Sequence, residues 1–384
     1  MELSHRIVKQ KVNDNNSYYF TQMTPRLRRV WFQAHTWLAL SLGWLLALNA
    51  LLGALLTVAK PLDQGFNAHL FVQSGPAAEQ PPASLESLRT RLTAEFGAGT
   101  NLTLRPPRVP GESLRAYVSG PWDGIVYYDD TGRELGRRGD TEGLHNLLFE
   151  LHSTVLLGDA GRALLAFVAL SYLLLLLSGL VLWSPPRWPP NLKIRLRRGW
   201  HPALYDLHRT AGAVLGLLIA VSVATGAYMA WPPLRAAVSS LAGDTQVKPP
   251  PVPKESVQLP RRPLDELVAT ARTRFPGAMV GYVQVPGREG QAVRVRFKVE
   301  DDRHPNGLSS VWLNPYTGEV LSTYRWNELD TGSRIITVIY PLHTGELGGT
   351  PLTVLVGLGG LVLAGLGISG LWLWTRRTWP PTRR

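Results

Sequence analysis

The chain has 384 residues, with 40 Lys and Arg against 28 Asp and Glu, a formal net charge of +12, 45 % hydrophobic and 18 % charged residues, and no cysteine. The apolar content excludes intrinsic disorder. The lack of thiols excludes disulfides, iron–sulfur clusters, thiolate zinc sites and covalently attached c-type haem.

Residues 1–36 are polar and basic, and Arg26, Arg28 and Arg29 stand just before the first apolar run. That run, 37–59, carries no charge. It exceeds the roughly 20 residues that cross a bilayer. A mixed polar segment, 60–162, is followed by a second uncharged run of similar length at 163–183. A basic segment, 184–209, contains Arg195, Arg197 and Arg198 and leads into the third run at 210–231. A second mixed segment, 232–349, precedes the fourth run at 350–374 and a basic tail at 375–384. A core helix of a soluble protein seldom stays apolar on every face for so long, so four transmembrane helices are expected. The long polar segment ahead of the first run makes that run an uncleaved anchor and not a signal peptide.

The charge is unevenly placed. Segments 1–36, 184–209 and 375–384 hold sixteen Lys/Arg and three Asp/Glu, whereas 60–162 and 232–349 are nearly neutral. The positive-inside rule puts the three basic segments and both termini in the cytoplasm, and the mixed segments outside. The basic residues are thereby used as topological anchors, so no nucleic-acid surface is expected.

An internal repeat organises the chain. Leu151-His152-Ser153-Thr154 and Leu342-His343-Thr344-Gly345 are each followed, at the same spacing from the His, by Trp183 or Trp374 in a Ser-Gly-Leu-x-Leu-Trp run. Trp188-Pro189-Pro190 and Trp379-Pro380-Pro381 continue the match at the same offset of 191. The first and third runs each have a His near their start, His35 and His208. Two copies of helix, outer domain, helix are therefore expected, related by a pseudo-twofold axis along the membrane normal. The outer domains match too. Leu85, Leu88, Leu92 and Phe96 have helical spacing, as do Leu264, Leu267, Val268, Ala271 and Phe275. Strand-like alternation follows, clearest in Val293-Arg294-Val295-Arg296-Phe297. Asp129-Asp130-Thr131-Gly132 and Asn314-Pro315-Tyr316-Thr317-Gly318 read as turns, and the Pro-rich stretch 248–253 as a linker. Each unit should be a helix on a small antiparallel sheet.

The helix, the meander and the Asn314-Pro315-Tyr316-Thr317-Gly318-Glu319 turn resemble a PepSY domain. Leu207-His208-Arg209, with Gly212 shortly after, resembles the opening of a span in the PepSY-associated transmembrane family. The resemblance runs from about Arg26 to Trp374. It implies an integral membrane α-helical protein with two periplasmic α+β PepSY-like domains, in the bacterial inner membrane. It is further similar to the iron-regulated inner-membrane reductases of ferric siderophores, ferrioxamine-type ones included.

Of the nine histidines, His35, His208, His152 and His343 occupy matched membrane positions, the first two at the cytoplasmic side and the last two at the outer side. Ionisable residues at such positions mark function by default. Zinc takes three or four ligands, whereas two axial imidazoles suffice for a b-type haem, and helical bundles commonly hold cofactors between facing helices. Pairing must be His35 with His208 and His152 with His343, since the crossed choice spans about 30 Å of hydrocarbon. Two b-type haems, with these four residues as cofactor and metal ligands, are expected. His145 and His201, each two helical turns before a proposed ligand, remain rivals; Pro202 places His201 in a loop on this reading. His5, His69 and His304 sit in polar surroundings and read as surface residues, and Met229 as packing. The glycines of 357–367 lie inside a span and suit close helix packing, with room for a flat macrocycle, and not a dinucleotide fingerprint. With no flavin or nicotinamide site, electrons would come from a quinol or a cytoplasmic reductase. The expected function, a ferric-siderophore reductase, draws its substrate from the family resemblance. Trp122, Trp312, Tyr316 and Trp326 are candidates for a substrate surface, though core positions suit them better. A non-enzymatic membrane protein that binds or regulates a periplasmic partner is the alternative, and a permease fits poorly because no span carries a charge.

Overall fold

The computed structural model describes residues 24–72, 83–184, 192–243, 248–302 and 304–378. His5 and the two Trp-Pro-Pro motifs lie outside them. Thr24 caps the first helix by accepting a hydrogen bond from the Leu27 amide, and Pro25 opens it, where a missing amide hydrogen costs nothing. This helix, α1 (Pro25–Phe66), runs past the expected end of the first span and is followed by the short α2 (Ala68–Phe71). Next come α3 (Leu85–Phe96) and a meander of β1 (Asn101–Arg105), β2 (Leu114–Ser119), β3 (Gly124–Tyr128) and β4 (Glu134–Gly139). Helices α4 (Leu144–Thr154), α5 (Gly158–Trp183), α6 (Trp200–Ala230) and α7 (Pro232–Ala242) follow. The chain then repeats a helix, α8 (Leu264–Arg272), and a meander of β5 (Met279–Val285), β6 (Val293–Lys298), β7 (Ser309–Leu313) and β8 (Val320–Tyr324). It ends with α9 (Thr331–Thr337), α10 (Ile339–Thr344) and α11 (Gly349–Thr378).

Among the described residues, four helices, α1, α5, α6 and α11, are long and apolar enough to cross a membrane. Each of α1 and α6 packs against both α5 and α11, so α1 and α6 face each other across a four-helix bundle. Its middle is filled by Leu46, Val168, Tyr172, Ile219, Ala220 and Leu363. Outward-facing Leu48, Leu174, Leu217, Val354 and Ile368 are exposed, as a lipid-facing surface requires. Three glycines of α11 serve close packing. A Cβ on Gly357, Gly360 or Gly367 would lie within 3.0 Å of Thr57, the Ala50 carbonyl or Ala47 of α1. They face a helix and so leave no room there for a macrocycle.

The two meanders do not form two separate sheets. β1 pairs antiparallel with β5, joining Leu102 to Val285 and Leu104 to Val283, and the result is one eight-stranded sheet in the order β4-β3-β2-β1-β5-β6-β7-β8. α3 and α8 cover one face over a common core that includes Leu88, Leu92, Leu104, Leu267, Val283, Val295 and Phe297. Their N-termini are clasped reciprocally. Asp265 accepts from the Leu85 and Glu86 amides at 2.9 and 3.1 Å and from the Ser84 hydroxyl, while Glu86 accepts from the Leu264 amide at 3.0 Å. Burial alone would raise the Asp265 carboxyl, but the Ser84 hydroxyl and the two amides outweigh it and hold it below its ordinary value. A depressed carboxylate stabilises above its unfolded value, about 3.9, and the contribution is lost as pH falls through the folded one. Asp265→Ala should cost about 1 kcal/mol, as loss of a helix cap does, and in urea unfolding the difference from wild type should shrink progressively as the pH falls below about 4.

The stretch 248–253 is not a free linker: Pro251 bridges to Gln291, and Val252 is buried with Ala292, Trp312 and Tyr316. Trp312 and Tyr316 are thus core residues and not an exposed substrate surface.

Candidate functional site

The sheet caps one end of the bundle. Asp63 on α1 and Arg138 on β4 form a buried ion pair at 2.8 Å that ties the two together. At this sheet-side end, α4 packs on α1 and α10 on α6. Val155 and Leu156, both left-handed, turn the chain sharply from α4 into α5. Gly161 permits this turn, since a Cβ there would meet the Thr154 carbonyl at 1.6 Å.

The two short helices carry His152 and His343 into the bundle. Their ring centroids are 6.2 Å apart, with the planes at 31°. His152 Nδ1 bonds the Asn49 carbonyl at 3.0 Å, and His343 Nδ1 bonds the Ser222 carbonyl at 2.9 Å, with Thr225 Oγ1 at 3.1 Å. A carbonyl only accepts, so in both rings Nδ1 carries the hydrogen and Nε2 keeps its lone pair. Gly53 and Gly226 form the floor of each seat; a Cβ on either would come within 2.8 or 2.9 Å of the ring Cε1.

His35 on α1 and His208 on α6 lie at the far end, on the two facing helices. His35 Nδ1 bonds Ser178 Oγ at 2.8 Å, and His208 Nδ1 bonds Ser369 Oγ at 2.9 Å. Each serine gives its own hydrogen to a backbone carbonyl, Leu175 or Leu366, so each accepts from the imidazole. Again Nδ1 is the protonated nitrogen. Gly179 and Gly370 lie against these rings at 3.5 and 3.3 Å from a built Cβ. Among the described residues no Nε2 of the four histidines has a hydrogen-bond partner. An imidazole nitrogen that keeps its lone pair and has no hydrogen-bond partner is free to bind something else.

On α1 the stretch from His35 to Asn49 has the same length as that from His208 to Ser222 on α6, and at about 1.5 Å per residue the two pairs lie about 21 Å apart along the bundle. The packed middle layer separates them. Among the described residues, no three His, Cys, Asp or Glu side chains gather as a metal cluster. A tetrahedral zinc centre is not built among the described residues, whereas His152 and His343 face each other as a pair of imidazoles. Two imidazoles bound to one metal at about 2 Å each have centroids about 6 Å apart, which the sheet-side pair matches. The donor set, with Nδ1 held and Nε2 free, fits a haem at the sheet-side pair, and His35 and His208 offer the same donors on facing helices.

The rivals are placed elsewhere. His145 lies two turns above His152 beside Lys60 and Asp63, and burial lowers its basicity. His201 is in the first turn of α6 and not in a loop, with its ring against Trp372. Pro202 is accommodated because first-turn amides have no helical partner. His304 is not a free surface residue. Its ring stacks on Tyr340 at 5.7 Å, and burial together with Arg296, Lys298 and Arg108 pushes it down to about 4.

Residues 32–377 match the PepSY-associated TM region family. The chain belongs to this family. It is also 30 % identical over 266 residues to "Uncharacterized protein PA4219" of Pseudomonas aeruginosa, a match covering 60 % of this chain and 63 % of that protein. The match therefore spans just under two thirds of that relative's length. The seats of the histidines were not foreseen from sequence, yet a signal was present. Ser178-Gly179 and Ser369-Gly370 share the 191 offset, while Gly53 and Gly226 share the 173 offset of His35 and His208.

Proposed function

We propose that the chain is a dihaem b reductase of the bacterial inner membrane, which passes electrons across the membrane to a periplasmic ferric siderophore and so releases ferrous iron. Its two halves are read as copies related by a pseudo-twofold axis, with both termini cytoplasmic and the sheet in the periplasm. One observation carries the reading: two layers of imidazoles whose four Nδ1 atoms are held by helix carbonyls or serines, leaving four Nε2 lone pairs with no hydrogen-bond partner among the described residues. When bound, the haems supply one-electron redox chemistry.

The chain does the rest. His35 and His208 would hold the cytoplasmic haem, and His152 and His343 the outer one. Asn49, Ser222, Thr225, Ser178 and Ser369 fix the ring tautomers, and such partners raise the basicity of a ligating imidazole. Leu46, Val168, Ile219 and Leu363 keep water out of the space between the layers. The electron donor is a quinol or a cytoplasmic reductase, and lipid surrounds the bundle. Reduction of Fe(III) to Fe(II) lowers the cation's charge and weakens its hold on hard oxygen ligands.

Stopped-flow mixing of the dithionite-reduced protein with a ferric siderophore tests this reading. Haem oxidation matched by equimolar trapped Fe(II) is the expected result. Haem that stays reduced across a panel of chelates would leave a non-enzymatic binding or regulatory role in its place.

A further inference from the structure

The sheet has a second face, turned away from α3 and α8. On it stand Arg105, Arg115, Tyr117, Tyr282, Arg294 and Arg296, the strand partners of one another or of their neighbours. Arg108 joins them, with its guanidinium 5.5 Å from the Tyr282 ring centre. Arg296 lies over the same ring at 5.7 Å and Arg294 over Trp312 at 5.1 Å. This face looks onto the sheet-side end of the bundle. Tyr340, one turn before His343 on α10, stacks on His304, which neighbours the same arginines.

The charges on this face do not balance. Glu112 pairs with Arg105 at 2.7 Å and Arg115 at 3.0 Å. Arg108 feels Glu112, which accepts from its amide, and Arg296 feels Asp302, but no carboxylate lies within ion-pair distance of the Arg108, Arg294 or Arg296 guanidinium among the described residues. Arg294 reaches only the Ser310 hydroxyl, Arg296 the Gly307 carbonyl, and Arg108 the Gly281 and Pro305 carbonyls and the Asn306 side chain. All three are at most half exposed, and Arg108 Nε is buried without any partner. Burial pulls Arg294 down to about 10, and lowers Arg296 and Arg108 as well. Keeping unpaired guanidiniums out of water is costly unless a ligand completes them, and Arg beside aromatic rings is suited to planar, delocalised oxyanions.

Resting on the reductase reading, we propose that this face docks the oxidant and selects ferric chelates of net negative charge over neutral or cationic ones. The chelate would lie over Tyr340, close to the outer histidine pair. One electron passes from the reduced protein to the chelate's Fe(III), giving Fe(II), and no bond or proton need change at the arginines.

The test uses the full-length protein in detergent and a redox-silent probe. Gallium(III) complexes of one linear trihydroxamate are compared with its terminal amine free, acetylated or succinylated, so that net charge is plus one, zero or minus one on one cage. Calorimetry should show the succinylated complex binding about tenfold or more tighter than the free amine at low salt, with the gap closing near 1 M salt, where the Debye length is about 3 Å. Arg296→Gln and Arg108→Gln should flatten the series while haem content stays at the wild-type value. Equal affinity across the series, preference for the cation, or no binding would overturn the proposal. The salt dependence of the wild type decides the matter should either variant fail to fold. A haem-free protein that still prefers the anion would sink the reductase reading alone, and a dihaem protein without preference would sink this one alone.

Discussion

His343→Ala is expected to halve the haem content, from two per chain to one. His343 sits opposite His152 with ring centroids 6.2 Å apart, so its loss takes away one of two axial nitrogens at the sheet-side position. The far-side pair, about 21 Å distant along the helices, does not share ligands with it. The remaining haem should still be reduced by dithionite, yet transfer to an external ferric chelate should fall by at least about tenfold, because the outward end of the path is broken. His208→Ala should produce the mirror result: one haem lost, the outer one retained, and reduction by a quinol lost. Pyridine haemochrome counts on the two variants check both statements. Loss of both haems from either variant would mean the pairs are not independent.

Gly226→Ala should empty the same site without touching a ligand. In an ordinary helix interior the change stabilises, by about 1 kcal/mol. Here the added Cβ would stand 2.9 Å from His343 Cε1 and 3.6 Å from Nδ1. The ring must move by several tenths of an ångström, against its 2.9 Å bond to the Ser222 carbonyl and its 3.1 Å contact with Thr225. The ring is then displaced relative to that of His152, 6.2 Å away centroid to centroid. Outer-haem occupancy below about half, with unchanged or higher thermal stability of the apoprotein, is the expected outcome. Gly365→Ala is the control, since a Cβ there meets nothing within 4 Å on the same class of helix. Full haem content in Gly226→Ala would show that the seat is more yielding than the geometry implies.

Much of the bundle was legible in the sequence because a lipid-facing helix must be apolar on every side, which leaves runs that nothing else imitates. Helix ends were less legible. α1 continues through Pro61 to Phe66, and α6 begins at Trp200, because polar residues at helix ends reach water without breaking the helix. The fused sheet left no local trace. Leu104 and Val283 stand in opposite halves of the chain, and an edge strand that pairs looks in sequence like one that does not. The histidine pairing was legible from matched spacing, but the seats were not. A serine and a glycine in an apolar helix read as packing until Ser178 and Gly179 are seen to flank His35. His304 misled for the opposite reason: its sequence neighbours are polar, but Tyr340, on a helix beyond the sheet, covers its ring.

The most direct test is a dithionite-reduced minus oxidised absorbance spectrum of the detergent-purified protein, calibrated by pyridine haemochrome. Two b-type haems per chain, both low-spin as paired imidazole ligation requires, is the predicted result. A protein that stays haem-free when expressed with ample haem would contradict the account, and the four imidazoles would then serve another purpose in the bundle.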